Sequence, residues 1–147
     1  MKRRIITVLL AISLALGISS SAFAEEEASL PASEHQVIAY YFHGTARCYS
    51  CKLIEDYTEE AIKTGFPDEL EDGRLVWKSL NMEKSDNRHF VTDYGLYTKS
   101  VVISKMENGE ETDWKNLSRV WNLIRNKPAF IAYIQDETRN MLEEKSE

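Results

Sequence analysis

Six consecutive apolar residues, Val37-Ile38-Ala39-Tyr40-Tyr41-Phe42, constrain this chain more than any other feature. A strand with one face in water alternates apolar and polar side chains. A run without alternation reads as a strand covered on both faces, and such strands belong to sheets flanked by helices. His43-Gly44-Thr45-Ala46-Arg47 follows as a loop and leads into Cys48-Tyr49-Ser50-Cys51, which contains the only two cysteines of the chain. From Tyr49 to about Thr64 the pattern turns helical: Leu53, Ile54, Tyr57 and Ala61 gather on one side, with Lys52, Lys63 and the pairs Glu55-Asp56 and Glu59-Glu60 elsewhere. With no convergent partner in sight, the acidic pairs read as a solvated helix face.

Gly65 and Pro67 are expected to end that helix. Asp72-Gly73 turns the chain into a second strand, Arg74 to Leu80, making a strand–helix–strand unit with parallel strands and a right-handed crossover. A short helix is expected over 86–94, with Phe90, Val91 and Tyr94 inward, and a third strand over Ser100-Val101-Val102-Ile103. Asn108-Gly109 is a hairpin signal, placing a fourth, antiparallel strand at 111–114. Leu117, Val120, Trp121 and Ile124 fall at helical spacing, and Asn126 and Pro128 can start a last helix with Phe130, Ile131, Ile134, Met141 and Leu142 inward. Trp77, Trp114 and Trp121 read as core or groove aromatics.

The N-terminus has the three regions of an export signal: basic Met1-Lys2-Arg3-Arg4, a 14-residue apolar stretch from Ile5 to Ile18, and a small-residue cleavage site ending at Ala24. The stretch is short for a membrane span, which needs about 20 residues. The expected organisation is a signal peptide over 1–24, a flexible acidic leader over 25–35 and one domain over 36–145, exported to the periplasm or beyond the cell without a stable membrane anchor after cleavage. The chain carries a net charge of −6, and loss of three cations with the signal makes it more acidic. No Lys/Arg stripe with interleaved aromatics follows, so nucleic acid is not an expected partner. No nucleotide fingerprint or Gly-rich phosphate loop is present, so no cofactor is expected and electrons would come from another protein. A monomer is expected.

Export places both cysteines where disulfides persist. Cys48 stands at a helix start, where unpaired N–H groups and the helix dipole favour a thiolate, and Arg47 beside it adds positive charge. It is the expected nucleophile, and Cys51, one turn in, the shielded resolving thiol. Three readings of the pair follow. A reversible redox disulfide is the first. A static staple is the second, although so short a loop removes little unfolded-state entropy. The third is a metallochaperone or assembly factor binding copper or zinc, for which two cysteines supply half of a tetrahedral site and His43 a third ligand at best. No metal is assigned. His43 is also a candidate for proton transfer, since histidine titrates near neutrality.

The element order resembles that of the thioredoxin fold. Tyr40-Tyr41-Phe42 ahead of Cys48-Tyr49-Ser50-Cys51-Lys52 carries the resemblance, with Tyr94-Gly95-Leu96 and Asn108-Gly109-Glu110 downstream, over roughly residues 36–142. It implies an α/β three-layer sandwich with a central mixed four-stranded sheet flanked by helices. More narrowly, Tyr41-Phe42-His43-Gly44-Thr45, the stretch Asp93 to Val102 and Trp114-Lys115-Asn116-Leu117 resemble exported thioredoxin-like proteins filed as ArsF-type nitroreductase subunits. Such a likeness implies a thiol–disulfide oxidoreductase or electron carrier with a protein redox partner. A substrate groove would be formed by Arg47, Tyr49, Ser50, Lys99 and Ser100.

The chain departs from the thioredoxin pattern at two places. The position of the cis-proline before the third strand falls on Ser100. A trans bond is expected there, because a non-proline cis bond costs about 2.5–4 kcal/mol, and the Ser100 hydroxyl could meet a cysteine sulfur. The place of the buried acid on the first strand holds Tyr41 or Phe42, leaving His43 as the nearest titratable group.

Overall fold

The structure, a computed structural model, describes residues 35–143. The expected signal peptide, nearly all of the expected acidic leader and the last four residues lie outside the described residues.

Strand β1 (His35–His43) is buried at every position from Val37 to Phe42. It pairs in parallel with β2 (Leu75–Asn81) and antiparallel with β3 (Ser100–Glu107), which pairs antiparallel with β4 (Glu110–Asn116), giving the order β2-β1-β3-β4. One face of β1, formed by Val37, Ala39 and Tyr41, packs against α1 (Tyr49–Gly65), α4 (Val120–Leu123) and α5 (Lys127–Glu143) through Ile54, Ile62, Val120, Phe130 and Ile134. The other face, Ile38, Tyr40 and Phe42, packs against Phe90 of α3 (His89–Asp93) and against Tyr94 and Leu96 after it. Phe90 and Tyr94 stack, and both lie within ring contact of Tyr40 and Phe42. The mixed four-stranded sheet with helices on both faces is the thioredoxin-like architecture that the sequence resemblance implies.

Several local readings are corrected. Pro67 does not only end α1; it also opens a short helix, α2 (Pro67–Glu71), where its missing N–H leaves nothing unpaired. Helix α1 ends at Gly65, as expected, and a Cβ there would come within 2.8 Å of the Gln135 side chain of α5. The segment expected as one short helix splits into a 3₁₀ turn at Ser85–Asn87 and α3. The helix expected from Leu117 is reduced to α4, because the Leu117 N–H donates to the Val101 carbonyl and ties that residue to β3. Strands β3 and β4 run past their expected ends, since hairpin pairing extends a ladder whatever the side chains are; β4 has exposed side chains from Glu110 to Lys115. Their turn is Asn108-Gly109, both with positive φ as a tight two-residue hairpin requires. Trp114 is not a core residue: it stays 40 % exposed and rests on Tyr94.

Phe42 is fully buried among three other rings. Phe42→Ala should therefore cost about 3–5 kcal/mol, the usual penalty for emptying a large aromatic site. In urea denaturation the midpoint should fall with an unchanged slope.

Candidate active site

The register Phe42↔Ser100 and His43↔Asn81 brings three segments to one end of the sheet: the β1–α1 loop, the residues after β2 and the start of β3. The β1–α1 loop is fastened there. The Met82 N–H donates to the His43 carbonyl at 2.8 Å, Asn81 Nδ2 donates to Thr45 Oγ1 at 3.1 Å, and the Thr45 N–H donates to the Glu83 carboxylate at 3.0 Å. Hydrogen bonding from Thr45 holds the Glu83 carboxyl below the ordinary carboxylate range, and the positive charge of Lys99 acts in the same direction. A Cβ at Gly44 would meet Glu83 Oε1 at 2.5 Å, so a larger residue there would push the end of that carboxylate side chain away from Thr45.

Cys48 and Cys51 form a disulfide with their Cα atoms 5.0 Å apart. Cys48 is the N-cap of α1, with extended backbone, and its Sγ accepts the Cys51 N–H at 3.1 Å. A sulfur in that place is stabilised as an anion by a real hydrogen bond as well as by the helix dipole. Cys48 is exposed whereas Cys51 is 1 % exposed. One sulfur can thus be approached from outside while the other lies under the first turn. Tyr49, between them, is 78 % exposed, and Ser50 is half-buried.

Beneath the disulfide the structure holds a polar cluster. The Tyr41 hydroxyl donates to the Cys51 carbonyl at 2.7 Å. Burial pushes the Tyr41 phenol up to about 12, against the opposing influence of the Arg47 guanidinium, which lies over its ring. The hydroxyl therefore remains a donor across the physiological range. Arg47 does not stand free beside Cys48: it turns inward and ion-pairs with Glu55 of α1, with side chains 25 % and 21 % exposed. Glu55 also accepts from Ser79 Oγ of β2 at 2.5 Å.

His43 places Nε2 3.3 Å from an Arg47 nitrogen and Nδ1 2.9 Å from the Gly44 carbonyl. A guanidinium only donates, so Nε2 accepts and Nδ1–H donates, which assigns the tautomer. Glu55 was missed as a site residue, being read as part of a solvated face. The signal was its spacing, for it stands four residues after Cys51 and so lies one turn below that cysteine. Glu59 and Glu60 meet Lys63 and Lys127 at the surface.

The expected groove residues lie on two segments, Arg47, Tyr49 and Ser50 around the cysteines and Lys99 and Ser100 at the start of β3. Ser100 is nearly buried, and its hydroxyl donates to the Thr98 carbonyl at 3.0 Å, which corrects the idea that it meets a cysteine sulfur. No cis peptide occurs among the described residues, so the Lys99–Ser100 bond is trans. The Lys99 carbonyl accepts from Trp121 Nε1 at 3.1 Å. A cavity of about 110 Å³ opens beside them, lined by Tyr97, Thr98, Ser100, Asn116 and Trp121. A larger one, about 490 Å³, lies between β4 and α5 and is lined by neither cysteine. Among the described residues no group of three or more His, Cys, Asp or Glu side chains is placed to hold a metal ion.

No family model matches the chain, and no curated protein matches it. Among solved structures, one titled "Initial Structural Analysis of Plasmodium falciparum thioredoxin" is similar at 19 % identity, covering 61 % of this chain and 80 % of that one with a TM-score of 0.36. The chain has a thioredoxin-like fold. That statement rests on its strand order, its helix placement and the position of the cysteine pair.

Tyr41→Phe keeps the ring and removes one hydrogen bond from a carbonyl that also serves the helix ladder. It should cost about 0.5–1.5 kcal/mol. Because the folded-state pKa of Tyr41 is raised, the unfolded chain loses the tyrosine proton first as pH rises. Its stabilising contribution is complete below pH 10 and is lost as pH climbs toward 12. Urea midpoints over that window should fall less steeply in Tyr41→Phe than in the parent.

Proposed function

We propose that this protein is an exported thiol–disulfide oxidoreductase or electron carrier that exchanges electrons with a protein partner through Cys48 and Cys51. One observation carries the reading: an exposed sulfur capping a helix, hydrogen-bonded by the N–H of the residue whose buried sulfur it is joined to. A purely structural staple has no need of that asymmetry.

In the reducing direction the Cys48 thiolate attacks a partner disulfide, forming a mixed disulfide and releasing one partner thiolate, which takes a proton. Cys51, losing its proton, then attacks the Cys48 sulfur, closing the protein disulfide and expelling the second partner thiol. Two electrons pass to the partner, and each proton taken up there balances one lost from a cysteine. The oxidising direction is the reverse. Export supports the reading through the basic, apolar and small-residue segments of the N-terminus, which would place the pair in a compartment where disulfides persist. The narrower likeness over Tyr41–Thr45, Asp93–Val102 and Trp114–Leu117 favours service to a nitroreductase-type system.

The purified mature protein should gain two hydrogens on mild reduction and lose them on reoxidation, as read by intact mass. Iodoacetamide should label Cys48 with a midpoint below the ordinary thiol value of about 8.5, while Cys51 reacts slowly. Retention of copper or zinc by a protein that does not cycle would favour metal handling instead. Cys51→Ser should hold the partner on Cys48 as a stable mixed disulfide, recoverable by non-reducing electrophoresis. Against insulin, a general disulfide substrate, the native protein should be weak and Ser100→Pro should change its rate; strong native activity would argue against a specialised partner.

A further inference from the structure

We infer that Glu55 is a positioning residue that sets the redox poise of the Cys48–Cys51 pair by neutralising Arg47 and holding it below the first turn of α1. The inference rests on the redox reading above, and it adds a residue that neither the CxxC motif nor the groove includes.

The cluster is built from three elements that meet only at this end of the sheet. Arg47 comes from the loop, Glu55 from the second turn of α1, and Ser79 from β2. Its Nε is buried without a partner, so the guanidinium is held chiefly through its terminal nitrogens, one toward Glu55 and one toward His43. Tyr41 links this group to the motif: the guanidinium carbon lies 5.9 Å from its ring centre, and its hydroxyl is bonded to the Cys51 carbonyl. The charged or titratable groups facing Arg47 are thus Glu55, His43 and Tyr41, with the exposed Asp56 acting on Tyr41 from farther out.

A cation in this place would stabilise a thiolate on either sulfur, and a thiolate exists only in the reduced protein. Uncompensated, Arg47 would favour the dithiol state and make the disulfide a stronger oxidant. Glu55 cancels that field at its source, and because both side chains are largely withdrawn from water the cancellation is only partly screened. The carboxylate thereby keeps the pair more reducing than the helix start and a neighbouring arginine alone would make it.

The test is equilibration with glutathione, in which the protein disulfide takes two electrons from two glutathione molecules and they become one glutathione disulfide. Glu55→Gln should shift the equilibrium toward the dithiol by about tenfold, which is about 30 mV for a two-electron couple, and lower the labelling midpoint of Cys48. Arg47→Gln leaves the carboxylate uncompensated and should shift both readouts the other way. The double variant should fall between the two, near the parent, as opposing charges in one network require. Single variants that move in the same direction, or equilibria all within about twofold of the parent, would overturn the inference while leaving the redox reading intact. If Glu55→Gln does not fold, Arg47→Gln must still be about tenfold more reducing than the double variant, or the inference falls. A parent protein that cannot be reduced and reoxidised would remove both readings together.

Discussion

Burial of β1 on both faces is the constraint on which the rest depends. A strand with Val37, Ala39 and Tyr41 on one side and Ile38, Tyr40 and Phe42 on the other has no surface to give to water. It must therefore be central, with strands on both edges and helices or loops over both faces. Centrality fixes where its C-terminal end emerges. The loop from His43 to Arg47 leaves the sheet between β2 and β3, and the helix it feeds must cross back over the face that Tyr41 occupies. The cysteine pair stands at that crossing because the strand has nowhere else to deliver it.

The electrostatics beneath the pair follow from the same geometry. Thioredoxin-type sites are expected to carry an acid on the central strand, and here the strand supplies a phenol held protonated by burial. The carboxylate comes instead from the helix, and its partner cation from the loop. Moving the acid from strand to helix changes what it can do. Held by Arg47 and Ser79, it shapes the field around the sulfurs, and its position is fixed by contacts from three separate elements.

Much of the fold was legible because its strongest signals are local. The unbroken apolar run, the change to helical periodicity after Cys48 and the Asn108-Gly109 turn each have one physical meaning. What was not legible depends on contacts distant in sequence. The strand β4 has no apolar alternation and exists because β3 pairs with it. Helix α4 is short because Leu117 is tied to Val101, a bond that no periodicity in 117–124 could show. Gly65 does end α1, but that it also leaves room for the Gln135 side chain, from a helix seventy residues away, no local pattern could show. At the site, the cysteines declared themselves, while the meeting of Arg47, Glu55 and Ser79 required the tertiary structure. Only the four-residue step from Cys51 to Glu55 carried a hint of it.

The fastening of Thr45 to Asn81 and Glu83, and of His43 to Met82, has a consequence for the lifetime of any mixed disulfide. Opening the Cys48–Cys51 bond would normally release a loop that must later search for its closed form. Here the segment ahead of Cys48 is anchored to β2 and the segment after Cys51 is committed to a helix of four turns, so little of the chain is left to search. In the proposed cycle the Cys51 sulfur would meet its target at a high effective molarity, and intramolecular attack would outrun capture by free thiols in solution. In the redox cycle proposed above, a partner joined to Cys48 would then be released promptly, without a long-lived covalent complex.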